Sequence, residues 1–179
     1  MLKIILIILA IIFLLFIIAM LVFASFAMLN KKELKQKEII LKANENKKAL
    51  ILYQKSRHNT ATELTMALAR KLNEGGYAVT INHPSKQINY KIDDYDIIAF
   101  GSAVYMGTIS EPLINYMRTV SYKNKNVILY LVGLATDVDT EIKILEEIIC
   151  DAKKVKSIKV KKGEEAKIED FVKEFLKMI

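Results

Sequence analysis

The chain has 179 residues, with 27 Lys+Arg against 20 Asp+Glu and a formal net charge of +7, a size that fits one domain plus an appendage. The single cysteine, Cys150, excludes an intramolecular disulfide and fits a reducing compartment, and the only two histidines, His58 and His83, are too far apart to give zinc-ligand spacing. The basic balance comes largely from two lysine-rich stretches, 31–48 and 153–162. Neither is interleaved with aromatic residues or joined to a nucleic-acid motif, so no nucleic-acid partner is expected.

Residues 4–28 contain no charged side chain, and Ser25 is the only plainly polar one. A bilayer core needs roughly 20 apolar residues of helix, so residues 1–29 are expected to form one transmembrane helix. The run exceeds the apolar core of a secretory signal peptide. Cleavage near Ser25-Phe26-Ala27, whose small residues suit a signal peptidase, is the alternative. Lys3 is the only basic side chain before the span, whereas Lys31, Lys32, Lys35, Lys37 and Lys42 follow it. The positive-inside rule therefore places the rest of the chain in the cytoplasm, as a single-pass protein of the cell membrane. Export with Lys3 inside is the competing topology.

Residues 30–46 read as a polar juxtamembrane stalk without Pro or Gly, suited to continuing the helix and to touching anionic lipid. Residues 47–179 read as the domain. Strands are predicted at 49–53, 77–81, 96–100, 127–132 and 155–160. Helices are predicted at 62–73, 111–119, 139–152 and 168–178, with Pro112 tolerated in a first turn. Cys150 ends the apolar stretch 142–150 and is expected to be packed. The lysines of 153–162 read as a solvated face. Strand–helix alternation predicts an α/β three-layer sandwich around a five-stranded parallel sheet of order 2-1-3-4-5, whose ligand sits beyond the carboxyl ends of the strands.

Three loops there are candidates for binding. The first is Gln54-Lys55-Ser56-Arg57-His58-Asn59-Thr60. Thr60 and Glu63 have capping-box spacing, and the helix N-terminus that follows suits a phosphate. Lys55, Ser56, Arg57, Asn59 and Thr60 add donors. Read alone, the loop favours an ordinary capped helix start with exposed charges. The second is Gly101-Ser102-Ala103-Val104-Tyr105-Met106-Gly107, where glycines at both ends permit sharp turns and Tyr105 offers a flat face for a planar ring. The third is Gly133-Leu134-Ala135-Thr136, placed by position after the fourth strand.

Residues 47–179 resemble the flavodoxin family. The likeness is carried best by Asp94-Tyr95-Asp96-Ile97-Ile98-Ala99-Phe100-Gly101-Ser102-Ala103-Val104-Tyr105, and by Ala49-Leu50-Ile51-Leu52-Tyr53 followed by Asn59-Thr60. The resemblance implies that FMN is the cofactor. Its phosphate would lie on Lys55, Ser56, Arg57, His58, Asn59 and Thr60. Its ring would lie between Ser102, Ala103, Val104, Tyr105, Met106, Gly107 and, from the third loop, Gly133 and Leu134. The implied function is membrane-anchored electron transfer with an unidentified redox partner. Flavodoxins tend to be acidic and this chain is basic, so that partner is expected to differ from theirs.

The first loop departs from the family pattern, which has Ser or Thr at Lys55, Thr at Arg57 and Gly at His58. An interaction module that kept the fold and lost the flavin is therefore the main alternative. A membrane-associated flavodoxin-type protoporphyrinogen oxidase is another. A receiver domain is excluded because Tyr53-Gln54 and Gly101-Ser102 supply no carboxylates for magnesium.

Overall fold

The computed structural model describes residues 2–137 and 139–179. Helix α1 (Leu2–Lys31) is apolar around its circumference, with a mean hydropathy of 3.7 in its most apolar window and none of that window buried. Its length and composition make it a candidate membrane anchor. Residues 4–25 are exposed, and only Phe26, Ala27, Leu29 and Asn30 are covered by the rest of the protein. The helix therefore leaves the domain rather than lying along it.

The remaining elements, in chain order, are β1 (Ile39–Leu41), β2 (Lys48–Tyr53), α2 (Thr60–Glu74), β3 (Ala78–Asn82), β4 (Ile97–Ala103), α3 (Glu111–Met117), β5 (Asn126–Val132), α4 (Thr140–Ile148), β6 (Lys154–Val160) and α5 (Glu165–Met178). The sheet order is β1-β3-β2-β4-β5-β6. The five strands β2 to β6 are mutually parallel and keep the expected 2-1-3-4-5 arrangement. The sheet nevertheless has six strands, not five. The extra one, β1, comes from the stretch expected to be a stalk, and pairs antiparallel with β3 through Ile39–Ile81, Ile40–Thr80 and Leu41–Val79. Residues around it are tied to the same edge. Gln54 donates to the Lys32 carbonyl at 2.8 Å, Lys37 N–H donates to Asn82 at 2.9 Å, and Tyr90 donates to Glu38 at 2.6 Å. The Lys86 amide hydrogen-bonds Glu33 and holds that carboxyl below its ordinary range.

Period-two alternation divides the core. Along β2, Ala49, Ile51 and Tyr53 join the layer of α2 and α5, while Leu50 and Leu52 join that of α3 and α4. The lysine-rich stretch 153–162 is the opposite edge strand rather than a simple solvated face. Lys156 pairs with Glu174 at 2.6 Å, and Lys159 pairs with Glu141 at 3.0 Å with both side chains buried. Charged side chains on an edge also discourage pairing with other chains. Helix α4 stops at Ile148, which leaves Cys150 exposed in a turn instead of packed.

Gly101 lies inside β4 rather than at a turn. Its neighbour in register on β5 is Tyr130, whose ring passes over it; a Cβ there would sit 2.1 Å from the ring. The Tyr130 hydroxyl donates to Thr65 of α2 at 2.7 Å, because the Thr65 proton is engaged with the Ala61 carbonyl. Burial pushes the Tyr130 phenol far above its ordinary pKa. Gly101→Ala should therefore cost about 1–3 kcal/mol through overpacking. A lowered unfolding midpoint of the full chain in detergent, partly restored by adding Tyr130→Leu, is the expected result.

Candidate functional site

A groove of about 650 Å³ opens at the carboxyl ends of β2, β4 and β5. Nine of the fourteen candidate residues border it: Ser56, His58 and Thr60 from the first loop, Ala103, Val104, Tyr105 and Met106 from the second, and Gly133 and Leu134 from the third. The other five do not. Lys55, Arg57 and Asn59 are exposed outside its lining, Gly107 is exposed within the turn of the second loop but outside the lining, and Ser102 is fully buried beneath that loop. Ser102 and Ala103 belong to β4 rather than to a loop. The Ser102 hydroxyl donates to the Ala103 carbonyl and accepts from the Ser110 amide, which fixes the end of the strand.

The first loop is built differently from a capping box. Asn59 is the cap residue, in a left-handed conformation with φ of 61°, and no side-chain cap bond forms. Asn tolerates that region better than most residues with a side chain, so the left-handed position falls on Asn59 and not on His58. Ser56 takes over part of the capping: its hydroxyl oxygen accepts the Ala61 amide at 3.0 Å. Buried Ser56 and Thr60 thus face the start of α2, where the helix dipole is positive.

Beneath this loop, His83 packs its ring on Tyr53 at 4.7 Å, and its Nδ1 meets the Tyr53 carbonyl at 2.8 Å. A carbonyl only accepts, so Nδ1 carries the proton. Burial pushes this imidazole below its ordinary pKa.

The second loop is a tight hairpin. Tyr105 and Thr108 exchange both backbone hydrogen bonds, at 3.1 and 3.0 Å, and Met106 and Gly107 between them have φ of 53° and 70°. Positive φ at both central positions is the primed turn that matches strand twist, and Gly107 is suited to it. The Tyr105 hydroxyl accepts the Arg57 amide at 2.7 Å, joining the second loop to the first. Its ring stacks on Phe26 of α1, with centroids 5.5 Å apart and planes 29° from parallel. Asn30 donates to the Tyr105 carbonyl at 3.3 Å and bonds the Thr108 hydroxyl.

The third loop carries Leu134, 91% exposed. Below it lies the Glu141–Lys159 pair, and a Cβ on Gly133 would stand 3.1 Å from Lys159.

Three further residues line the groove: Phe26, Val132 and Lys162. Phe26 sits in the apolar span, Val132 in a predicted strand, and Lys162 in a lysine run, so no local signal marked them. Lys162 is the one lysine or arginine on the wall, and no carboxylate appears there among the described residues. The walls are otherwise mainly apolar. This donor set fits a planar ring between apolar surfaces with a phosphate toward Ser56, Thr60 and the start of α2.

The fold has relatives among known proteins. The sequence profile of the flavodoxin domain matches residues 50–175. An uncharacterized protein of Methanocaldococcus jannaschii is 31% identical over 83 residues, covering 46% of this chain and 52% of its own length. The chain thus spans about half the length of that curated relative. Among solved structures, oxidised flavodoxin 2 from Bacillus cereus superposes with a TM-score of 0.62 at 18% identity, over 74% of this chain and 99% of that one. Flavodoxin from Streptococcus pneumoniae gives 0.59 at 15% identity, with the same coverages. At such identities the structural likeness establishes the fold, and the profile match over most of the chain establishes the family: the chain belongs to the flavodoxin domain family.

Proposed function

We propose that this protein is a membrane-anchored, FMN-binding electron-transfer protein with its domain in the cytoplasm. The observation that carries the reading is the groove itself. It lies at the carboxyl ends of β2, β4 and β5, has mainly apolar walls including Tyr105, and reaches the hydroxyls of Ser56 and Thr60 at the start of α2. FMN, when bound, would supply one- and two-electron transfer. The chain's own residues would do the rest. Ser56, Thr60 and the first N–H groups of α2 would hold the phosphate. Tyr105, Val104 and Leu134 would confine the ring and exclude water, and Lys162 would favour a negative ligand. No side chain need act as an acid or base.

Lys55 and Arg57, the most basic residues of the first loop, point to solvent outside the groove. Their support for a phosphate is therefore expected to be screened and small. Charge-assisted hydrogen bonds are worth about 1.5–3 kcal/mol, so Thr60→Ala should weaken FMN by about tenfold or more. The same change should spare riboflavin, which lacks the phosphate. Lys55→Ala and Arg57→Ala should each change FMN affinity by less than about threefold at moderate salt. Titration of the full chain in detergent, followed by visible absorption and flavin fluorescence, measures all of these. A folded chain that takes neither ligand would favour the tethered interaction module instead.

The lysines at 31, 32, 35, 37 and 42 support the orientation. A topology reporter fused after Ile179 should be active in the cytoplasm and silent outside, and the opposite pattern would overturn the assignment.

A further inference from the structure

We propose that the carboxyl-end face of the sheet rests on the lipid leaflet from which α1 emerges, with Met106 and Leu134 as its apolar contacts in the membrane interface. This inference rests on reading α1 as a membrane span, and it adds which face of the domain meets the bilayer.

The first argument is depth. Residues 4–28 form 25 residues of uncharged helix, or about 37 Å at the usual rise, against a hydrocarbon core of about 30 Å. The surplus places the last turns of α1 among the headgroups, just before the first charges at Lys31 and Lys32. Phe26 lies in those turns, and Tyr105 is stacked on it. Asn30 bonds both ends of the same hairpin. Tyr105 is thereby held at the level of the interface, where aromatic rings with a polar end are favoured, and Met106 is the next residue along.

The second argument is the chemistry of the face. Met106 is 63% and Leu134 91% exposed, at the tips of separate loops, and both border the groove that Phe26 helps to close. Exposed Ile144 borders an adjoining groove with Phe23 and Met106. The apolar patch is thus continuous with the surface of α1. Basic side chains of neighbouring loops at the same end of the sheet, Lys55, Arg57 and Lys162, are exposed, as is Lys31, which has Glu111 at 3.8 Å. Asp137 and Asp139 are also exposed between Leu134 and α4, so the complement to an anionic leaflet comes from Lys31, Lys55, Arg57 and Lys162 around the apolar tips. The mouth of the groove then faces the bilayer rather than the bulk cytoplasm.

Site-directed spin labelling of the full chain tests this. In a Cys150→Ser background, single labels are introduced by Met106→Cys, Leu134→Cys, Asp93→Cys and Leu15→Cys, and the protein is reconstituted into phosphatidylcholine–phosphatidylglycerol vesicles. Asp93, fully exposed ahead of β4, reports the opposite end of the sheet. Accessibility to oxygen, which concentrates in lipid, is compared with accessibility to a neutral nickel chelate, which stays in water. The expected result is a rise in oxygen accessibility and a loss of nickel accessibility at 106 and 134 relative to 93, with 15 deepest of all. If 106 and 134 match 93 while 15 is lipid-buried, the docking fails and the anchor stands. If 106 and 134 are shielded from both reagents, protein covers the face and the docking fails. If 15 is open to nickel, the anchor reading fails and the docking with it.

Discussion

A parallel sheet buried under helices on both faces has no open surface for a ligand except the row of loops where its strands end. That constraint organises this protein. The two core layers are filled by alternate residues of the same strands, Ala49, Ile51 and Tyr53 to one side and Leu50 and Leu52 to the other. Two polar pairs inside the sandwich satisfy each other, Tyr130 on Thr65 and Lys159 on Glu141. Open surface is left at the carboxyl edge, where Ser56, Thr60, Tyr105 and Leu134 from three loops come to one groove.

Most of the sheet was legible because buried parallel strands are nearly continuous apolar runs, and four such runs are well separated in this sequence, whereas the edge strand β6 alternates apolar residues with lysines and a serine. Strand β1 was not. Its three residues, Ile39-Ile40-Leu41, stand among lysines and glutamates, and they become a strand only because β3 offers an unpaired edge. A pairing made by tertiary contact leaves little local trace. The capping box at Thr60 and Glu63 had the right spacing but lost to a left-handed Asn59 and to the Ser56 hydroxyl. Gly101 looked like a turn glycine, and its reason lies in Tyr130, 29 positions away.

The lining of the candidate groove was legible by loop and less so by residue. Alternation along the first loop turns Ser56 and Thr60 inward and leaves Lys55 and Arg57 outside. Charge drew attention to the outward pair, whereas hydroxyls and backbone do the facing. Phe26 escaped notice because a phenylalanine within an apolar helix carries no sign of its tertiary contact. Together with Asn30, it joins α1 to the groove, through its stack on Tyr105.

The short strand β1 has a mechanical consequence. Seventeen residues of free chain between a span and a domain would behave as a leash, with a root-mean-square reach of about 20–25 Å. Here the segment is fastened at Lys32, Glu33, Lys37 and Glu38 and woven into the sheet at Ile39–Leu41. It acts as a bracket. With α1 in a bilayer, a bracketed domain does not sweep the volume beneath the membrane in search of collisions. It travels with its helix at a set height and tilt, and its encounters with another membrane component become a problem of lateral diffusion in two dimensions.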